Sequence, residues 1–236
     1  MKILAVETTS LVLGAAVWED GRILGEYSLH STKTHSQKLL PVVDSLLADC
    51  GLSVFDMDLF AVDLGPGSFT GVRIGVATLK GFAFSTQKLA VGCNSLETLA
   101  MNLVSAEGTL LCPIADARGG ACYAALYRAE NGCLTQLIPP CAEDIESLLL
   151  NLLSAYEEPI IFLGDGIYAY RELIEQKRGA GARFAEGSAA DFRAASLCAL
   201  AQKKAERGEA VNAGLLVPIY LRKPQAQREL ERRQEK

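Results

Sequence analysis

The sequence has very few of the residues that peptidases and metalloenzymes use. It contains only two histidines, His30 and His35, in 236 residues. They lie five positions apart, whereas two metal ligands on one helix face need a spacing of three or four. Neither the H-E-x-x-H motif of zinc peptidases nor the nucleophile elbow of serine hydrolases is present. The sequence therefore argues against both classes of hydrolase, and we expect no metal site.

Cysteine pairs and long apolar runs are missing too. The seven cysteines are scattered without a Cys-x-x-Cys pair, so neither a zinc ribbon nor a thioredoxin-like redox motif is indicated. We therefore expect free thiols and a cytoplasmic protein. The apolar stretch of residues 1–18 is interrupted by polar residues at 7–10, and no stretch reaches the roughly 20 apolar residues of a membrane helix. We predict no signal sequence and no association with a membrane.

The chain also has fewer basic than acidic residues. The chain has 23 Lys and Arg against 28 Asp and Glu, a net charge of −5. A protein that grips RNA over a broad surface is normally basic, so we expect another molecule to make most contacts with any RNA. The stretch from Arg222 to Lys236 contains six basic and three acidic residues, and we expect a solvated end there.

Half of the residues are hydrophobic, and their pattern predicts an α/β protein in which one order of elements occurs twice. In the first half we predict strands at 2–6, 12–18, 23–29, 59–64 and 89–92 and helices at 36–50, 70–85 and 96–105. In the second half we predict strands at 109–115, 121–127, 133–138, 160–163 and around Phe184, and helices at 143–156, 168–177 and 191–207. Ser188 is expected to cap the last helix. Both halves therefore follow the order βββαβαβα.

The two halves also match at individual residues. One constant offset aligns Glu7 with Asp116 and Trp18 with Tyr127. Two ribonuclease-H-like βββαβαβα lobes form the fold of the actin, Hsp70 and sugar-kinase superfamily, and we predict that fold here with a reduced second lobe. The predicted units are a first lobe at 1–107, a second lobe at 108–222 and a charged tail at 223–236.

Each half has an acidic residue where its first strand enters a tight turn. Ligands of open α/β sheets bind beyond the carboxyl ends of the strands, so we expect Glu7 and Asp116 to face a cleft between the lobes. The alternative is two capped strand ends with solvated carboxylates. The two carboxylates could also serve an ATP-dependent kinase or phosphatase. However, the turn at residues 8–10 lacks the glycine that close approach to a phosphate needs.

The most specific segment is glycine-rich and joins a predicted strand to a predicted helix. Residues 65–75 are Gly-Pro-Gly-Ser-Phe-Thr-Gly-Val-Arg-Ile-Gly. The start of that helix could receive an anion, but the spacing fits neither a Walker loop nor a dinucleotide fingerprint. Gly75 and Gly81 lie inside the helix, where each costs about 1 kcal/mol relative to alanine. This bare backbone indicates close packing, either by a partner helix or by an internal strand or helix.

This segment resembles the signature of the TsaB family. Four further segments resemble the same family, whereas the resemblance is weak between Asn131 and Asn212. They are the opening strand at 3–9, the first-helix motif at 35–41, the second-lobe turn Asp116-Ala117-Arg118 and the C-terminal run 218–222. The family usually has Asp where this chain has Glu7. The matching turn adds Arg118 to the residues expected at the cleft.

The resemblance implies a partner role in tRNA modification. TsaB-like proteins pair with a larger paralogue, a TsaD-type transferase, which transfers the threonylcarbamoyl group to the adenosine beside the anticodon of tRNAs that read ANN codons. A TsaE-type ATPase joins the assembly. The resemblance therefore implies a non-catalytic scaffold that reaches tRNA only through the complex. The resemblance also implies that the chain has no cofactor of its own, since ATP and metal are expected on the partner subunits. In isolation the chain is expected to form a homodimer.

The resemblance also implies that the pairing surface lies on the two helices predicted at 36–50 and 70–85. We predict that this surface includes residues of both helices: Leu39, Val43, Leu47, Thr70, Arg73, Ile74, Gly75, Thr78 and Phe82. The apolar stripes of these helices could instead be ordinary core faces, which is the commoner role of such stripes.

Overall fold

The computed structural model describes residues 1–30 and 34–222. The predicted tail at 223–236 lies outside the described residues. Across the ranges that are described, no helix has the length and apolar character needed to cross a membrane.

The first half of the chain forms a five-stranded mixed sheet. Its strands lie in the order β3-β2-β1-β4-β5, with β1, β4 and β5 parallel and β2 and β3 antiparallel to their neighbours. β4 is buried along its whole length, which suits its four apolar residues Leu59–Val62 and also buries the carboxylate of Asp63. The elements are β1 (Lys2–Glu7), β2 (Val12–Glu19), β3 (Arg22–His30), α1 (His35–Asp49), β4 (Leu59–Asp63), α2 (Phe69–Thr86), β5 (Leu89–Cys93) and α3 (Ser95–Ala100).

The second half repeats this order of elements and this sheet. Its strands lie in the order β10-β9-β6-β7-β8, which is the arrangement of the first sheet read from the other edge. The elements are β6 (Leu110–Asp116), β7 (Ala121–Glu130), β8 (Cys133–Asp144), α4 (Ile145–Ser147), β9 (Ile160–Leu163), α5 (Gly166–Arg178), β10 (Ala182–Phe184) and α6 (Ala194–Glu206). The predicted duplication of βββαβαβα is confirmed, and the second copy is the less regular one.

The predicted helix at 143–156 is wrong in both its start and its regularity. β8 stays paired with β7 as far as Asp144, whose side chain then accepts hydrogen bonds from the N–H groups of Glu146 and Ser147 and so begins α4. After this single turn the chain continues as a π-helical segment and a 3-10 turn, Leu148–Leu152 and Leu153–Ala155. Five leucines between 148 and 153 leave no polar face, so a regular amphipathic helix is not favoured.

Two other predicted helix ends also differ. α3 ends at Ala100 and is followed by a 3-10 turn, Met101–Leu103, instead of continuing to residue 105. α6 begins at Ala194, with Arg193 in the cap position. Ser188 lies in a separate 3-10 turn, Gly187–Ala189, so its predicted capping role is wrong.

The last helix of each half packs against the sheet of the other half. Leu96 and Leu99 of α3 belong to the core around β6 and β7, whereas Leu197 and Cys198 of α6 pack against Ile3 and the rest of the first sheet. The chain after α6 also lies on the first lobe. Val211 pairs with Ala90 of β5, and the N–H of Ile219 donates to the carbonyl of Leu64 at 2.7 Å. A boundary at residue 107 therefore follows chain order but does not separate the two cores.

We predict that a fragment of residues 1–107 does not fold on its own. Without α6, the face of the first sheet that carries Ile3 and Ala16 is exposed to water, which removes a large part of the hydrophobic stabilisation. The measurements are circular dichroism and the fluorescence emission of Trp18, the single tryptophan. In the structure, Nε1 of Trp18 donates a hydrogen bond to Oε1 of Gln202 on α6 at 2.6 Å.

The control is a fragment of residues 1–222, which retains every described element and should unfold cooperatively. Cooperative unfolding of fragment 1–107 with native-like Trp18 emission would contradict the exchanged packing.

Candidate functional site

A cleft of about 720 Å³ opens between the lobes at the carboxyl ends of their first strands. One wall is the turn after β1 and the glycine-rich loop of the first lobe. The other wall is the turn after β6, and the C-terminal segment closes one side. Its lining includes Thr9, Ser10, His35, Gly67, Ser68, Asp116, Arg118, Asp165, Tyr220 and Arg222.

Asp116 and Arg118 line this cleft within a tightly held turn. One oxygen of Asp116 accepts hydrogen bonds from the N–H of Arg118 and the hydroxyl of Tyr170, both at 2.8 Å. The N–H of Asp116 donates to Asp165 at 3.0 Å. Burial and the neighbouring Asp116 raise the pKa of Tyr170, and burial also raises the pKa of Asp165. Asp116 therefore stabilises the turn that contains it.

The C-terminal segment ties the two walls together. Nη1 of Arg222 donates to the carbonyl of Ala117 at 2.9 Å, in the second-lobe turn. Two residues earlier, the hydroxyl of Tyr220 accepts a hydrogen bond from Nε of Arg73 on α2 at 2.8 Å. The guanidinium of Arg73 also lies 3.8 Å from the centre of the Phe69 ring, a cation–π geometry. Arg73 is thus held in one orientation, although it is exposed.

Glu7 does not line the cleft, and its predicted position there is wrong. Its side chain is fully buried, and Oε1 accepts hydrogen bonds from both the N–H and the hydroxyl of Thr9 at 2.5 Å. The turn after β1 covers the carboxylate, since Thr8 and Thr9 of that turn are themselves buried. Glu7 and Asp116 occupy equivalent positions in the duplicated fold but have different surroundings.

The glycine-rich loop packs against this turn of the same chain. The N–H of Ser68 donates to the carbonyl of Thr9 at 2.7 Å, and the hydroxyl of Thr8 donates to the carbonyl of Gly71 at 2.8 Å. A Cβ on Gly71 would lie 1.9 Å from the carbonyl oxygen of Thr8, and one on Gly75 would lie 2.3 Å from the hydroxyl of Thr8. The glycines therefore allow internal close packing, and the prediction that Gly75 lies on a partner surface is wrong.

The predicted interface residues of α1 are also in the wrong place. Leu39, Val43 and Leu47 are buried and belong to the core of the first lobe. They face inwards because α1 packs against β2 and β3. The opposite face of the helix carries Leu40, which is 54% exposed, and Asp44.

The predicted residues of α2 divide between two faces. Thr70 and Arg73 are exposed, whereas Ile74 and Thr78 are half-buried, and the half-buried Phe82 stacks on Phe60 of β4 with the ring centres 6.2 Å apart. The exposed face continues through Ala77, Gly81 and Phe84. Ala77 and Phe84 were not predicted for the interface, whereas Gly81 was left open between a partner helix and internal packing. Positions 70, 73, 77, 81 and 84 are spaced by three or four residues and therefore lie on one face of α2. Extending this helical spacing from Thr70 and Arg73 would have predicted the exposed positions.

Both helices and the 3-10 turn Val54–Asp56 that follows α1 present apolar groups to solvent. Leu40 of α1 and Phe55 of this turn line a groove of about 670 Å³ whose wall also contains Phe82 of α2. Phe55 is 69% exposed and Phe84 is 87% exposed. A Cβ on Gly81 would meet no atom within 4 Å, so the backbone of α2 is accessible there. We call this region the α1–α2 surface and define it by its most exposed apolar positions: Leu40, Phe55, Ala77, Gly81 and Phe84.

The histidines and cysteines take ordinary structural positions. Nε2 of His35 lies 2.8 Å from the carbonyl oxygen of Ser10, and His30 is exposed. Burial raises the pKa of the thiols of Cys93 and Cys112, as expected of apolar surroundings. Within the described residues, 1–30 and 34–222, no group of three or more His, Cys, Asp or Glu side chains could hold a metal ion.

The chain is similar to known proteins over nearly its whole length. A family model described as TsaD, tRNA N6-adenosine threonylcarbamoyltransferase, matches residues 22–230. The tRNA threonylcarbamoyladenosine biosynthesis protein TsaB of Bacillus subtilis (strain 168) is 36% identical over 230 residues, which cover 96% of each chain.

Two solved structures share the fold. One is an uncharacterized protein with similarity to peptidase YEAZ from Pseudomonas aeruginosa, with a TM-score of 0.80 and 27% identity over 94% of this chain and 99% of that chain. The other is a ROK hexokinase from Thermus thermophilus, with a TM-score of 0.52 and 12% identity over 88% of this chain and 100% of that chain. The second similarity is one of fold alone.

We predict opposite effects of alanine at two glycines of α2. Gly71→Ala should lower the free energy of unfolding by about 1–3 kcal/mol or more, because the new Cβ clashes with a backbone oxygen of the turn after β1. Gly81→Ala should raise it by about 0.5–1 kcal/mol, since the new methyl group meets open space inside a helix. Urea unfolding of both variants measures these changes, and equal effects of the two substitutions would contradict the internal role of Gly71.

Proposed function

We propose a partner role for this chain in tRNA modification, because it belongs to the TsaB family of tRNA threonylcarbamoyladenosine biosynthesis proteins. In this proposal it binds a TsaD-type transferase, a paralogue of similar fold, through the α1–α2 surface. The transferase carries out the modification, a TsaE-type ATPase joins the complex, and tRNA is reached through the assembled subunits. The observation that carries the proposal is the exposed apolar character of the α1–α2 surface.

This surface has the chemistry of a helix-packing interface. Burying a phenylalanine side chain contributes about 1.5–3 kcal/mol, so Phe55 and Phe84 are costly to leave in water. Small residues on α2 would let another helix approach closely: Ala77 and Gly81 follow each other at a spacing of four on the exposed face. Asp44 and Arg73 lie at the border of the apolar positions and would set the orientation of a partner.

The same surface supports homodimer formation when the transferase is absent. A twofold axis would place α1 and α2 of two copies against each other, which makes a four-helix arrangement without new structural elements. Because the proposed partner is a paralogue, its corresponding helices would replace those of the second copy.

We propose further that the chain is non-catalytic and has no cofactor of its own. The groups from which a phosphate-transfer site would be built already have internal partners. Glu7 is buried beneath the turn after β1, the N–H of Ser68 donates to Thr9, and Asp116 holds the second-lobe turn. ATP and metal are accordingly assigned to the partner subunits. The alternative of an ATP-dependent kinase or phosphatase would need Glu7 in the cleft, and Glu7 is fully buried.

We predict that Gly81→Leu and Phe84→Asp each weaken binding to the cognate TsaD-type subunit at least about ten-fold, equivalent to roughly 1.4 kcal/mol. The leucine would block close approach of a partner helix, and the aspartate would place a charge in an apolar contact. Neither position is packed inside this chain, so both variants should remain folded. Isothermal titration calorimetry with the purified subunit measures the affinity.

The matched control is Tyr168→Asp, which changes an aromatic residue that is 72% exposed on α5, in the second lobe. Its affinity for the transferase should equal that of the unmodified chain. Unchanged affinity of both α2 variants would place the interface on another part of the molecule.

We predict that the purified chain alone neither modifies tRNA nor hydrolyses ATP above the background rate. The reason is that Glu7 is buried beneath the turn after β1, so the cleft lacks the pair of carboxylates, Glu7 and Asp116, that would bind a metal-bound phosphate. Phosphate release with and without Asp116→Asn measures this. Sustained ATP turnover that is lost in the Asp116 variant would overturn the non-catalytic role.

A further inference from the structure

Two carboxylates lie side by side in the interior of the first lobe. β1 and β4 are parallel neighbours, and Val6 pairs with Val62 in their register. Glu7 and Asp63 therefore follow at the next position of each strand. Both side chains are 0% exposed, and neither faces the cleft between the lobes. This pair has no part in the partner interface proposed above.

The hydrogen bonds of the pair leave one oxygen of each carboxylate without a partner. Oε1 of Glu7 accepts from Thr9, and Oδ1 of Asp63 accepts from the hydroxyl of Thr98 at 2.6 Å. Oε2 of Glu7 and Oδ2 of Asp63 have no hydrogen-bond partner. Two adjacent ionised carboxylates in a buried site would repel each other and lack solvation, so one of them has to be neutralised.

The charged and titratable groups around the pair do not supply that neutralisation. The Cys93 thiol on β5 and the Glu97 carboxylate on α3 act on Asp63 from two sides, and neither is a cation. Lys204 of α6 is the cation on this side of the sheet. Its ammonium pairs with Glu97 at 3.5 Å and with Glu209 at 3.4 Å. Of the groups that the structure describes here, none places a positive charge against the unpartnered oxygens.

We propose that Glu7 and Asp63 share a single proton at neutral pH, held between Oε2 of Glu7 and Oδ2 of Asp63. The shared proton joins the carboxyl ends of β1 and β4 through one short hydrogen bond. Burial and the adjacent Glu7 raise the pKa of Asp63 well above its usual value, in agreement with this geometry. Glu7 also holds Thr9, and the turn that contains Thr9 is packed under the glycine-rich loop. The proton therefore stabilises the centre of the first lobe.

The sign of the pH dependence follows from the number of bound protons. In the unfolded chain both carboxyls ionise near pH 4, whereas the folded chain keeps one proton to a higher pH. The stabilisation is fully present below about pH 4 and is lost as the pH rises through the raised pKa of Asp63. Between these limits one proton is released on unfolding. The unfolding equilibrium constant should therefore rise about ten-fold per pH unit from this pair alone.

The test compares urea unfolding of the full chain and of Asp63→Asn from about pH 5 to pH 8. Trp18 is the single tryptophan and lies on β2, so its fluorescence reports on the first lobe. An asparagine amide can donate to Glu7 without a shared proton. The variant should therefore lose the contribution of about ten-fold per pH unit and become more stable relative to the unmodified chain as the pH rises. Equal slopes for the two proteins would overturn the proposal.

Asp44→Asn is the matched control, because it removes an exposed carboxylate of the first lobe that does not act on Asp63, and its slope should equal that of the unmodified chain. Glu7→Gln is the second variant, in case Asp63→Asn does not fold. Infrared spectroscopy of the native protein at neutral pH should show the carbonyl band of a protonated carboxyl group, and either pair variant should lack it. Absence of that band in the unmodified chain, or stabilisation by added magnesium that a chelator reverses, would overturn the shared proton.

Discussion

The close packing of the turn after β1 against the glycine-rich loop is the contact on which the rest of the first lobe depends. Thr8 and Thr9 use both backbone and hydroxyl groups to hold Gly71, Ser68 and Glu7. This contact fixes the start of α2 relative to β1 and buries the carboxylate at the end of that strand. Such an approach of backbone to backbone is available only without a side chain. The glycines that characterise the segment are thus explained by the interior of this chain.

The proposed function follows from how the same elements divide their surfaces. The inner face of α2 is committed to the turn and the sheet, and its outer face carries Ala77, Gly81 and Phe84. α1 is divided in the same way between its buried residues and Leu40. The cleft between the lobes keeps its position in the fold, but its acidic groups support the surrounding turns. A fold that hosts catalysis in other proteins is, in the proposed role, used as a rigid carrier of a helical docking surface.

The order of elements could be predicted from the sequence, because alternation and helical spacing determine which segments bury apolar surface. The constant offset between Glu7 and Asp116 was enough to indicate the duplication. The faces of α1 and α2 could not be assigned in this way, since both sides of these helices carry apolar residues and only tertiary packing decides between Leu39 and Leu40. The roles of Gly75 and Gly81 were not separable either, because a glycine has no side chain whose polarity indicates its surroundings.

The exchange of α3 and α6 between the two sheets has a consequence for the synthesis of the chain. A ribosome delivers the first sheet complete at Cys93, but the helix that covers one of its faces is made about a hundred residues later. At typical elongation rates of about 5–20 residues per second, that face stays uncovered for about 5–20 seconds. Neither lobe can reach its final core before the other is nearly finished, so the two halves fold as one cooperative unit. Until α6 is made, the nascent chain exposes an unfinished apolar sheet face, which is the kind of surface through which folding intermediates associate with other chains.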